Sequence, residues 1–157
     1  MAKVTLHINK PSILATRNKK HFFFNFHQVS RIPKESLPSQ SLLDHVMKEE
    51  GAEVERVDYI FCVDAYLIEL NRTYLNHDTF TDILTFTLSP AGEAITSEIY
   101  ISVERVRENA EKYDVSFETE LHRVMIHGLL HLCGYEDGTA KQKKQMRSKE
   151  DYYLGKR

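Results

Sequence analysis

The chain has 157 residues, 41% of them hydrophobic, and its 21 Lys and Arg against 23 Asp and Glu leave a formal charge of -2. That length supports one domain spanning 1–157 with a sizeable core, and the balance lacks the basic excess of a dedicated nucleic-acid binder. With no charged-then-apolar leader and no apolar run of about 18 residues, the expectation is a cytoplasmic protein without membrane association.

Charge distribution says more than the total. Lys3, Lys10, Arg17, Lys19 and Lys20 crowd one end, and Lys141, Lys143, Lys144, Arg147, Lys149, Lys156 and Arg157 the other. If the termini share a face, that face is basic. Cys62 and Cys133 both sit in apolar runs with no disulfide framework, which fits a reducing compartment.

Taken in order, residues 4–9 alternate with strand period, and Phe22–His27 is an aromatic strand whose expected role is core packing rather than base stacking. Residues 31–40 hold two prolines and read as a connector. Ser39 or Ser41 then caps a helix with Leu42, Leu43, Val46 and Met47 inward and Asp44, Lys48 and Glu49 outward, ending near Gly51. Residues 57–63 are almost continuously apolar and predict an interior strand. Asp64 stands where a cap belongs for a helix over 65–74, with Leu67, Leu70 and Tyr74 at core spacing. A polar loop over 75–82 leads into the strand Ile83–Thr87; after the Pro90-Ala-Gly92 turn come a strand over 98–102 and a charged helix over 103–113. Asp114 to Ser116 break the chain before the helix Phe117–Leu132, and a basic helix over 139–154, started by Gly138 or Thr139, closes it. The expected fold class is α+β, a mixed β-sheet packed with helices and with the helix Phe117–Leu132 central.

Stepping about 100° per residue from His127 puts Glu120, Arg123, Val124 and His131 on one face of that helix. Leu121, Met125, Leu129 and Leu132 lie opposite, with Ile126 and Leu130 between. A helix apolar over so much of its girdle is buried, so its polar stripe must line a cleft. Gly128 costs about 1 kcal/mol against Ala in a helix, which the close approach of another backbone or a substrate would explain.

His127 and His131 stand about 40° apart around the axis at about 6 Å of rise, so both imidazoles reach one ion. Gly134 stops the helix, and Asp137 offers a carboxylate where the chain returns. Two His and one carboxylate suit one zinc or a similar divalent ion, and three protein ligands leave a position for water, so a bound hydroxide is the natural nucleophile. The spacing parallels the H-E-x-x-H-x-x-G-x-x-H/D pattern of metalloproteases, except that Gly128 stands where those enzymes carry their general base. A His pair alone is a weak signal; Gly134 and Asp137 in register make it a strong one. His122 faces away from the pair, and His7, His27, His45 and His77 lack ligand spacing, with His77 the exception to watch because its loop is polar. Cys133 points off the ligand face toward the core.

His127-Gly-Leu-Leu-His131-Leu-Cys-Gly134-Tyr135 resembles the signature H-G-x-L-H-L-x-G-Y-D-H of the YbeY family, metal-dependent bacterial endoribonucleases also called rRNA maturation factors. Leu70-Asn-Arg-Thr-Tyr-Leu-Asn-His-Asp-Thr-Phe-Thr-Asp82-Ile-Leu-Thr-Phe86 resembles that family's L-N-x-x-Y-R-x-K-D-x-P-T-D-V-L-S-F segment, and Glu98-Ile-Tyr-Ile-Ser102 its G-D-I-x-I-S strand. The resemblance covers about residues 56–154. It implies an α+β domain with zinc in a cleft, hydrolysis of single-stranded RNA, and participation in 16S rRNA 3′-end processing and ribosome quality control on the small ribosomal subunit.

Two departures stand out. The third ligand position is Asp137 where the family pattern has His, which adds a negative charge and should make the metal a weaker Lewis acid. Leu75 stands where the family has an arginine assigned to the cleft, so Arg72 or Arg123 would have to stabilise charge growing on phosphate oxygens. Glu120 and Asp82 are the carboxylates available to move a proton or support the ligands. The leading expectation is a metal-dependent endoribonuclease with His127, His131 and Asp137 as ligands and Arg123 and Glu120 as candidate catalytic groups. Its rivals are a ribosome-associated assembly factor with a mainly structural metal and, on ligand spacing alone, a metalloprotease.

Overall fold

A computed structural model describes residues 2–5, 20–76 and 80–157. Its five strands, β1 (Ala2–Thr5), β2 (Phe22–His27), β3 (Val54–Cys62), β4 (Ile83–Thr87) and β5 (Ile95–Ser102), form one mixed sheet in the order β1-β4-β5-β3-β2. Only β4 and β5 run antiparallel; β1–β4, β5–β3 and β3–β2 are parallel. Five helices pack on it: α1 (Gln40–Glu49), α2 (Asp64–Leu75), α3 (Val103–Lys112), α4 (Phe117–Leu132) and α5 (Ala140–Leu154). This is the α+β domain expected.

Strand alternation decides which residues each face buries. Val57, Tyr59 and Phe61 of β3 and Ile99 and Ile101 of β5 face a large core shared with α1, α3, α4 and α5, whereas Cys62, Leu84 and Phe86 face a smaller one covered by α2. β3 lies inside the sheet, as its continuous apolarity predicts, between β5 and β2. Both β3 and β5 start earlier than their apolar cores suggest, because backbone pairing continues to Val54 opposite Ile95 through exposed Glu55 and Arg56. The aromatic run forms edge strand β2 with Phe22 fully buried, and Gln40 at the start of α1 ties its first residue, donating to the Phe22 carbonyl at 2.8 Å and accepting from its N–H at 3.3 Å. Of the expected strand over 4–9, residues 6–9 lie outside the described part, as do His7 and His77.

α4 is the central helix. The Ser116 hydroxyl caps it by accepting from Thr119 N–H at 3.1 Å, and every residue from Val124 through His131 is buried. The fully buried Tyr59 hydroxyl donates to the Met125 carbonyl at 3.0 Å, pinning helix to sheet without leaving a buried polar atom unsatisfied. At Gly128 it is neither a backbone nor a substrate that approaches. A Cβ there would meet Ile83 Cδ1 at 2.9 Å and Ile99 Cδ1 and Cγ2 at 3.2 Å, so the glycine lets α4 settle onto two isoleucines of the sheet. Two expectations for α2 are also corrected. Val63 holds the cap position and Asp64 is the first helical residue, its carboxylate accepting from Arg105 at 2.8 Å, and Tyr74 is half exposed while Asn71 is buried in its stead.

Candidate metal centre and active cleft

The site begins where α4 stops. Gly134 takes φ +96°, its N–H bonds the His131 carbonyl at 3.1 Å, and Tyr135 N–H bonds the Leu130 carbonyl at 3.0 Å, so the chain reverses beside the last turn. That reversal returns Asp137 to the ligand face. The turn is held from outside: the Tyr135 hydroxyl donates to Glu50 Oε2 at 2.8 Å, and Lys149 donates to Glu50 Oε1 at 2.7 Å.

Ligand atoms of His127, His131 and Asp137 all lie within 4.8 Å of one another. The two Nε2 atoms approach to 2.8 Å, with Asp137 Oδ2 3.6 Å from that of His127 and Oδ1 3.9 Å from that of His131. Hydrogen bonding on the far side of each ring says why this matters. His131 Nδ1 lies 2.9 Å from the Tyr135 carbonyl, which only accepts, so the ring donates there and its neutral form presents a lone pair at Nε2. His127 Nδ1 donates to the Glu150 carboxylate, with the same result. Two lone pairs aimed at each other, with a carboxylate beside them, repel unless a cation is shared. Burial first, then the neighbouring His127, lowers the His131 pKa, which disfavours a proton as that cation. The donor set fits a divalent metal ion, and both rings are already oriented for it.

A cleft of about 230 Å³ opens beside this centre, lined among others by Asp82, Glu120, Arg123, His127, Asp137 and Glu150. Burial raises the Glu120 pKa, against the opposing effect of Arg123, and burial likewise raises that of Asp82, against His127. Glu150 is as buried as Glu120, yet burial loses there to the bonds from His127 and Arg123, and its pKa is lowered. Glu150 is therefore an ionised acceptor that fixes the His127 ring.

Arg123 falls on the ligand face, as the helical spacing predicts, and lines the cleft while already engaged by carboxylates. Its Nη1 donates to Asp151 at 2.7 Å and to Glu150 at 3.2 Å, and its Nε lies 3.9 Å from Glu120. Leu75 packs into the apolar cluster under α2 and does not line the cleft. His122 faces away, one ring nitrogen 3.0 Å from the Ser36 carbonyl, and Cys133 lies 3.8 Å from Met47 Sδ, both as expected. Glu150 escapes the helical-wheel reading because it comes from α5. Its signal is present in the sequence nonetheless: with Met146, Tyr153 and Leu154 it forms the buried stripe of an otherwise basic helix, and an acid at such a position needs a buried partner.

Fold and donor set together define a class, a small α+β protein with three side chains at the end of a buried helix that could hold a metal ion. Comparison with known proteins narrows it. The family described as Endoribonuclease YbeY matches residues 25–157. The Endoribonuclease YbeY of Flavobacterium psychrophilum is 54% identical over 109 residues, covering 69% of this chain and 76% of that protein. That of Flavobacterium johnsoniae is 45% identical over 128 residues, covering 82% and 91%. The solution structure of a Thermotoga maritima protein superposes with a TM-score of 0.58 at 31% identity, covering 85% of each chain. The chain belongs to the endoribonuclease YbeY family. Among the described residues no helix is long and apolar enough to cross a membrane.

Proposed function

We propose that this protein is a zinc-dependent endoribonuclease that hydrolyses phosphodiester bonds of single-stranded RNA, acting with the small ribosomal subunit in 16S rRNA 3′-end maturation and ribosome quality control in the cytoplasm. The observation that carries the metal-dependent chemistry is the convergence of His127 and His131 Nε2 beside Asp137 with both Nδ1 protons already committed. Family membership supports RNA as the substrate. When bound, zinc would supply Lewis acidity and a water of lowered pKa, both tempered by the Asp137 charge.

The chain's own groups do the rest. Glu150 and the Tyr135 carbonyl hold the two imidazoles in the tautomer that exposes Nε2. With His127, Arg123 keeps Glu150 ionised and in place instead of meeting phosphate. Glu120, with its raised pKa and its side chain on the cleft wall, is the carboxyl placed to exchange a proton with the reacting groups. The protease reading loses support, since position 128 faces Ile83 and Ile99 and a glutamate there would enter the core.

His127→Ala should abolish both bound zinc, measured by elemental analysis, and cleavage of a ribosomal RNA precursor, while the circular dichroism of the fold persists. Full cleavage without metal would refute the mechanism. Leu75, partly buried at the end of α2 against the apolar cluster that this helix covers, favours one rival, an assembly factor whose metal is structural. Chelation distinguishes the two: a structural metal predicts a melting temperature lower by many degrees, a catalytic one a near-unchanged melt with cleavage lost.

A further inference from the structure

The cleft wall opposite the metal ligands is built by the end of α3 and the start of α5, and the ligand chemistry leaves it unused. Tyr113, the residue after α3, lines the cleft with 49% of its surface exposed. Around its ring stand Lys112, with Nζ 5.3 Å from the centroid, and Arg147 of α5, with Cζ at 5.9 Å. Lys143, one turn before Arg147, lines the same cleft, is exposed, and makes no ion pair among the described residues. Of the other cleft cations, Arg123 is taken by three carboxylates, and Arg147 reaches Glu150 at 3.4 Å while remaining half exposed.

A half-exposed aromatic ring lining the cleft, with the cations of Lys112 and Arg147 over it at 5.3 and 5.9 Å and a hydrolytic centre in the same cleft, matches what a single-stranded nucleic acid requires once those mobile side chains turn from the ring to the phosphates. Unstacked bases gain by stacking on an aromatic ring whatever their identity, and the adjoining phosphate pairs with Lys or Arg. We propose that Tyr113 and Lys143, with Arg147 beside them, form a nucleotide subsite of this cleft: Tyr113 stacks a base of single-stranded RNA next to the scissile linkage, and Lys143 holds a neighbouring phosphate. The subsite rests on the nuclease reading above and adds to it the wall along which the strand lies. It also supplies from α5 a cation that makes no ion pair among the described residues, which neither Leu75 nor Arg123 provides.

The test uses the full chain and a 2′-O-methyl single-stranded oligoribonucleotide carrying 2-aminopurine, whose fluorescence is quenched on stacking. Tyr113→Ala should weaken binding about tenfold or more and lose the quenching, and Tyr113→Phe should keep both. Lys143→Gln should lower the slope of log affinity against log salt by roughly 0.7, one phosphate contact on a single strand, and Lys143→Arg should restore it. In cleavage assays both disabling variants should raise KM more than they lower kcat, with bound metal and circular dichroism unchanged. Wild-type affinity and quenching in Tyr113→Ala would overturn the subsite and leave the nuclease reading standing. Wild-type protein that neither binds nor cleaves single-stranded RNA would overturn both.

Discussion

Glu150→Gln is the sharpest perturbation of the site. The wild-type carboxylate is 4% exposed and serves three donors: His127 Nδ1, Arg123 Nη1 at 3.2 Å and Arg147 Nη1 at 3.4 Å. Glutamine keeps the shape and can still offer an oxygen to His127, but it removes the charge that makes the ring a stronger ligand. Loss of such a supporting carboxylate costs about 10- to 100-fold in metal affinity, or roughly 1.4–2.7 kcal/mol. Stability falls as well. Removing one partner of a buried ion pair costs about 3–5 kcal/mol when the other charge is stranded, and the low end applies here because Arg123 keeps Asp151 at 2.7 Å and Arg147 reaches solvent. Competition against a chromophoric chelator, with cobalt as a spectroscopic stand-in, gives the affinity; urea unfolding of the same preparation gives the stability. An affinity within twofold of wild type, in a variant that is measurably less stable, would show that Glu150 is a packing residue and refute its hold on His127.

Two further predictions concern the frame of the site. His122 has its pKa lowered, chiefly by burial, so the unfolded chain takes up that proton first as pH falls through 6.5. Its contribution to stability is present above that value and lost between it and the lower folded pKa; His122→Gln should remove this loss, seen as wild-type and variant urea midpoints converging or crossing as pH falls from 7.5 to 5, and parallel profiles would contradict it. Gly128→Val adds two methyls beyond a Cβ that already meets Ile83 Cδ1 at 2.9 Å, so overpacking should cost about 1–3 kcal/mol in urea unfolding, and a stability equal to wild type would show that the α4–sheet contact is looser than this spacing implies.

Legibility in the sequence followed the range of the interaction. The strands Phe22–His27 and Ile83–Thr87 and the helix Phe117–Leu132 carry their bounds in local periodicity, and the observed elements share them. His127, His131 and Asp137 were readable together because a helix and one glycine-ended turn fix their mutual positions within about a dozen residues. Tyr74 keeps core spacing yet is half exposed, because periodicity reports spacing and not how wide a face the sheet covers.

The donor group of His127, His131 and Asp137, the α+β class and the family are each written in short-range pattern or motif. Which distant residues complete the cleft depends on how the helices pack on one another. Glu150 reaches His127 across 23 residues because α5 lays its Met146–Leu154 stripe on α4. The same docking brings Arg147 beside Tyr113 and occupies Arg123 with Glu150 and Asp151. Helical periodicity assigns a residue to a face. Only the packing of that face against another reveals which charges are spent within the fold and which remain for a ligand.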